Sequence, residues 1–460
     1  MNKNKKLLVK AIGAALLTCG STVQAANWLM LQGTEPTDQA ARAKLWGFVQ
    51  VQYQKDNSDA NASGGYIPPK LIGPNLSEQD QFNVNRARIG VRGTGLPLDS
   101  NVNYFFLAEF GNNGITNPGD RNVRITDASV TLNHIPGARI RTGLFKTPGS
   151  EEGLQAIHVF DYINFTTVTN QLLLERFPND NGAFESQSNN APISKPSPTG
   201  IGAFDQSVGA FRDTGIQVFD TFKVDKWEHS YAAMVGNGNG LNFGNADGFY
   251  DKYLYWSSEL VYGGKGGRRE GLKMFAWAQS GKRLLDSTDD STYNPTTHDR
   301  DRSGLGVKYL QKPFRVSAEY MQGEGMIFVG QDKSTFDVNG PATPTGNGAD
   351  GEANGYYLEG GYYIPGTKWE IDLRYDVYNR LTNDTPFPAG APAPVAGKTL
   401  EFKFETVTLG AQYHINKKTR VNMEVSDRTF EAVDFSAGAG PNANLDGVNM
   451  RYAVQLTHIF

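Results

Sequence analysis

The chain has 460 residues, with 44 Lys or Arg, 48 Asp or Glu and six His, for a net charge of −4. Beyond residue 25 no stretch stays apolar over the ~18 residues that a membrane-crossing helix needs, and the mean hydropathy is negative. A helical membrane protein is excluded. A soluble protein or a β-barrel, whose strands carry apolar residues at alternate positions, is not.

Met1 to Ala25 reads as a secretory signal peptide. Lys3, Lys5, Lys6 and Lys10 make a positive start, Ala11 to Leu17 centre a short apolar run, and Val23-Gln24-Ala25 offers a cleavage site before Ala26. Its removal takes away four lysines and Cys19, the only cysteine. The exported chain then carries a net charge of −8 and neither a disulfide nor a thiolate metal site. Export without cysteine suits a Gram-negative envelope. Residues 26–43 read as a short periplasmic lead-in, and 44–460 as one all-β antiparallel barrel domain.

Sixteen runs alternate polar and apolar residues over about the nine to eleven positions that a tilted bilayer-spanning strand requires. They are 44–54, 82–93, 101–110, 123–133, 138–147, 213–222, 227–237, 253–262, 271–279, 301–310, 314–322, 354–363, 369–378, 402–415, 419–429 and 449–460. The run 271–279 fits least well, because Phe275 and Trp277 fall on its polar face. Connections between the runs alternate short and long. His134 to Gly137, Gln311 to Pro313 and Asn416 to Lys418 are tight, whereas 148–212, 323–353 and 379–401 are long. Outer-membrane barrels sort their loops this way, with tight periplasmic turns at one end and long external loops at the other. A soluble sandwich has no reason to do so.

Parity assigns the faces. Arg86, Arg88 and Arg92 alternate with Ala87, Ile89 and Val91. An arginine at the bilayer midplane on the lipid face costs roughly 2–4 kcal/mol, so these three point to the lumen. Arg139 and Arg141 do so too, opposite Ile140 and Leu144. Lys146 has the lipid-facing parity but ends its strand, where the chain can turn inward at Pro148. Arg302, Lys308, Arg374, Arg420 and Arg451 are also inward, as are Glu109, Asp127, Glu319, Asp372, Asp376 and Glu424. Many of these arginines and acids are expected to pair across strands. The cluster Arg86, Arg88, Arg92, Arg139 and Arg141 has few acids within its own strands and would draw anions, since guanidinium forks suit oxyanions. The connection 148–212, with an apolar part from Phe160 to Leu174, is the expected constriction loop. Folded into the lumen, its apolar side chains can pack on the wall.

The last run places Tyr452, Val454, Leu456 and the terminal Phe460 on one face. An amphipathic final strand ending on Phe resembles the signal read by outer-membrane assembly machinery. Further likeness lies in Asn85-Arg86-Ala87-Arg88-Ile89-Gly90-Val91, in Asp127-Ala128-Ser129-Val130, in Gly143-Leu144-Phe145-Lys146-Thr147-Pro148 and in Arg212-Asp213-Thr214-Gly215-Ile216-Gln217. In order and spacing these resemble the phosphate-selective porins of the O and P type, clearly over about 44–235 and more loosely to Phe460. The resemblance implies a sixteen-stranded homotrimeric barrel with inward-folded loops and basic pore residues, and it matches Arg86, Arg88 and Lys146 directly.

The six histidines show no metal-ligand spacing, and neither a phosphate-loop nor a nucleic-acid motif occurs. No cofactor and no enzymatic activity are expected. The expected function is a passive outer-membrane channel preferring phosphate or similar small anions, lined by Arg86, Arg88, Arg92, Arg139, Arg141 and Lys146. Expected partners are small anionic solutes, outer-membrane lipid and lipopolysaccharide, the assembly machinery through Phe460, and two further copies of the chain. The alternatives are a general non-specific porin, a barrel enzyme and a soluble glycan-binding β-protein.

Overall fold

A strand with one apolar and one polar face is stable in a bilayer only if every backbone N–H and C=O is paired, which a closed barrel achieves. The computed structural model describes residues 28–31, 42–58, 80–95, 98–117, 123–174, 193–194, 210–241, 243–245, 248–264, 267–286, 295–327, 351–384, 386, 389–390, 396–439 and 442–460. The expected signal peptide, 1–25, lies outside these residues.

The strands are β1 (Lys44–Asp56), β2 (Asp80–Gly95), β3 (Asp99–Glu109), β4 (Arg124–Leu132), β5 (Arg139–Lys146), β6 (Arg212–Val224), β7 (Trp227–Gly236) and β8 (Asp251–Gly263). They continue as β9 (Glu270–Asp286), β10 (Pro295–Gln311), β11 (Phe314–Glu324), β12 (Glu352–Tyr363), β13 (Trp369–Arg380), β14 (Phe402–Asn416), β15 (Thr419–Ala432) and β16 (Arg451–Ile459). Each pairs antiparallel with the next, and β1 pairs with β16 in the register Phe48 to Ile459, which closes the barrel. A two-residue segment, Ile193–Ser194, adds in parallel to Leu285 and Asp286 at the rim. All sixteen alternating runs are strands. The main differences in length are at β9 and β10, which reach 17 residues each. Past Ala278 the outward positions become polar, with Ser280 and then Lys282, whose Nζ meets Asp299 at 3.2 Å. The hairpin therefore runs on beyond its apolar belt.

The burial pattern is the inverse of a soluble protein's. Leu254, Leu305, Leu373 and Leu409 are more than half exposed on the outer face, while Arg141, Arg283, Arg302, Arg315 and Arg374 are among the most buried side chains. Exposed aliphatic belts around a charged interior belong in lipid. Tight connections such as 225–226, 312–313 and 417–418 lie at one end, and the strand ends that bound the long connections 147–211 and 325–351 lie at the other. On β5 strict alternation stops at Gly143, whose φ is +117°. Leu144, expected on the lipid face, is instead buried, as are Phe145 and Lys146 beyond it.

Replacing Leu373 by Arg should weaken the folded barrel by about 2–4 kcal/mol. Urea titration of barrels folded into vesicles, read by heat-modifiable electrophoretic mobility, would show the loss as a lower midpoint.

Candidate functional site

Pro148 ends the run of β5, and the chain then enters the lumen. Ser150 caps a short helical turn, Glu151–Leu154, its Oγ accepting from the Gly153 N–H at 3.1 Å. Two further turns follow, Ile157–Val159 and Thr169–Leu173. From Ser150 to Leu174 almost every side chain is buried. Phe160, Tyr162 and Phe165 share an apolar cluster with Phe48 of β1, and Leu154, Val168 and Leu172 share another with Phe275, Trp277 and Tyr357. This is why Phe275 and Trp277 face inward on β9: the inserted loop supplies the apolar surface that water would not.

The main chain of the loop is held by charged wall residues. The amides of Glu151, Ile163 and Thr167 donate to the carboxylates of Glu319 at 3.1 Å, Glu424 at 2.8 Å and Asp376 at 2.7 Å. The carbonyls of Asn164 and Leu172 accept from Arg374 at 3.0 Å and Arg302 at 2.9 Å, and that of Phe160 from Arg420. These partners span β10 to β15, so the loop crosses the barrel from its origin on β5.

The carboxylates of the loop are also satisfied on that wall. Glu151 accepts from Lys273 at 2.6 Å and Lys308 at 3.1 Å. Glu152 lies 3.6 Å from Arg374, and Asp161 lies 2.6 Å from Arg268 and 3.2 Å from Arg315. Burial alone would push the Glu151 carboxyl up, but the two ammonium groups beside it hold it down, at about 2. His158 behaves in the opposite way. Burial, with the Arg420, Lys146 and Arg88 charges nearby, lowers its imidazole to about 3, so it is neutral at physiological pH.

The expected lining residues divide into two groups. Arg86, Arg88 and Lys146 come together with Arg212, which stands opposite Lys146 in the β5–β6 register. Arg88 pairs with Glu109 at 2.6 Å, and Arg212 with Asp127 at 3.1 Å. Arg86 donates to the Gln50 Oε1 at 3.1 Å, and Lys146 to the carbonyls of Gln155 at 2.8 Å and Leu154 at 3.4 Å. Arg92 is half-buried and acts on His158. Arg139 and Arg141 stand apart, nearer the short-turn end. Arg139 pairs with Asp220 at 3.2 Å, while Arg141 donates to Thr131 and lies 4.3 Å over the Phe219 ring. Sequence reasoning missed Arg212 as a site residue. Its signal was its place as the first strand residue after the long loop.

Openings remain on both sides of the loop. One cavity, of about 250 Å³, lies toward the short turns and is lined by His158, Arg268, Lys312, Lys417, Lys418 and Arg420. Another, of about 40 Å³, borders Arg212, Tyr253, Trp277, Arg283 and Arg300. A His–Ser contact also exists: His229 Nδ1 is 2.9 Å from Ser258 Oγ. It lies in an outer-face group with Phe222 and Trp256, and Ser258 Oγ already accepts from the Trp256 indole at 3.1 Å.

A model of the Gram-negative porins matches residues 13–432. The chain belongs to that family. The porin accordingly forms a channel in the outer membrane. No curated protein matches its sequence. Among solved structures it is similar to OprB of Pseudomonas putida at high pH, with a TM-score of 0.51 and 9 % identity over 91 % of this chain and 94 % of that one. It is also similar to the outer membrane channel DcaP of Acinetobacter baumannii, with a TM-score of 0.46 and 14 % identity over 94 % and 100 %. At these identities the likeness bears on the fold alone.

Glu151→Gln should leave Lys273 and Lys308 without their carboxylate and cost the loop about 3–5 kcal/mol of docking. Single-channel records should then show larger current fluctuations at neutral pH. Because the carboxyl is lowered from 4.5 to about 2, its contribution in the native chain is complete above about pH 4.5 and is lost as pH falls toward 2. Fluctuations should therefore rise only in that acid range, and the Gln variant should lose this dependence.

Proposed function

We propose that the porin is a passive diffusion channel that prefers anions, of the class of phosphate and similar small oxyanions, and that it works without a cofactor or a catalytic step. The observation that carries this reading is the unequal treatment of charge around the loop. Glu151, Glu152 and Asp161 are turned to Lys273, Lys308, Arg374, Arg268 and Arg315. On the β2, β5 and β6 side, Arg86 and Lys146 are held by carbonyl oxygens. A carbonyl satisfies a donor without cancelling its charge, so positive potential is left on that wall for a passing anion. Arg88 and Arg212 reinforce it with planar donor forks, while their carboxylate partners moderate it. The resemblance to the O and P type porins in the Arg-Ala-Arg and Gly-x-Phe-Lys-x-Pro segments supports phosphate as the model solute.

The same reading includes a homotrimer, supported by that resemblance, with the long loops toward lipopolysaccharide. Phe460 is its assembly signal. The Phe460 N–H donates to the Gly47 carbonyl at 3.0 Å at the barrel seam, and the side chain stays 44 % exposed.

In planar bilayers under a potassium chloride gradient, the reversal potential should have the sign of anion preference. Arg86→Ala with Lys146→Ala should reduce the anion-to-cation permeability ratio several-fold, and phosphate should lower chloride current through the native channel more than through the variant. Cation preference in the native channel would refute the reading.

A further inference from the structure

Trp28–Leu31, ahead of β1, form one helical turn inside the barrel. Trp28, Leu29 and Met30 are 7 %, 3 % and 2 % exposed. They belong to the same buried cluster as Leu154 of the inserted loop and as Tyr255 and Phe275 on β8 and β9. The indole of Trp28 occupies the place that a Cβ on Gly267 would take, so the turn between β8 and β9 receives it only because that position is glycine. A gap of about 10 Å³ is all that remains between Trp28 and Glu151, Glu259, Arg269, Lys273 and Lys308.

Three consecutive apolar side chains, Trp28, Leu29 and Met30, have no reason to enter a water-filled lumen unless a surface there fits them. The fit here is to the underside of the Glu151–Leu154 turn and to the wall that carries Lys273 and Lys308. That wall lies toward the short-turn end, where Gly267 and Leu310 border the same gap. The larger cavity at the same end, beside His158 and Arg420, is not lined by Trp28, Leu29 or Met30.

We propose that Trp28–Leu31 is an internal stopper. It docks beneath the inserted loop, closes the β8–β10 side of the lumen at the periplasmic end and keeps Lys273 and Lys308 out of the conducting path. Permeation then runs past His158 and Arg420 on the other side of the loop. The stopper acts on pore area and is independent of which ion the channel prefers.

The test uses the full chain with Trp28→Ser, Leu29→Ser and Met30→Ser together, and separately Gly267→Ala, which displaces the indole without refilling its place. With assembly confirmed by heat-modifiable mobility, the triple variant should raise single-channel conductance roughly twofold and the Gly267 variant by less. Unchanged conductance in an assembled triple variant would overturn the proposal. A second readout needs no current. In a Cys19→Ser background, Leu29→Cys should react with a membrane-impermeant maleimide far more slowly in the folded barrel than in urea. Equal rates would also overturn it.

Discussion

A loop that enters a barrel brings its backbone polar groups with it, and each of these must find a partner away from bulk water. The inner wall of this porin is arranged around that requirement. Loop amides need acceptors and find Glu319, Asp376 and Glu424; loop carbonyls need donors and find Arg302, Arg374 and Arg420. Acids and arginines therefore occur side by side on β10 to β15 because amides and carbonyls occur side by side along the loop. Leaving any one buried group unpaired would cost about 1–3 kcal/mol, so the wall and the loop fix each other's geometry.

This division of labour decides what the charges can do for a solute. Cations that hold the loop's own carboxylates, such as Lys273 and Lys308 on Glu151, are neutralised where they stand. Arg86 and Lys146 are instead fixed in position by neutral oxygens. The whole-chain charge of −4 has no bearing on this, because a permeating ion feels the lining and not the sum. The neutral imidazole of His158 sits among Arg420, Lys146, Arg88 and Arg92, so it adds no charge to the wall it helps to form.

What could be read from the sequence follows from the range of each physical cause. Period two is a property of adjacent residues, so the sixteen strands, their faces and the alternation of short and long connections were legible. The inward direction of Arg86, Arg88 and Arg141 followed from the same rule. It failed at Gly143, where one positive φ ends the alternation and Leu144 becomes buried. It also cut β9 short, because the outer face turns polar at Ser280 while the hydrogen-bonded ladder continues to Asp286. Pairing was not legible. Glu151 meets Lys273 and Lys308 across 122 and 157 positions, and no local pattern encodes such partners. The place of Trp28 was hidden for the same reason, since the surface that receives it is made by Gly267 and the loop.

These long separations also impose an order of dependence on the structure. The loop amide of Ile163 is held 261 positions downstream by Glu424, on the strand before last. The barrel seam between β1 and β16 forms only with the final residues, Phe460 included. The docked loop thus presupposes the strands that close the barrel. The turn at Trp28–Leu31 in turn shares its buried cluster with Leu154, on the loop's helical turn, and so presupposes the docked loop. Each layer filling the lumen rests on the one outside it.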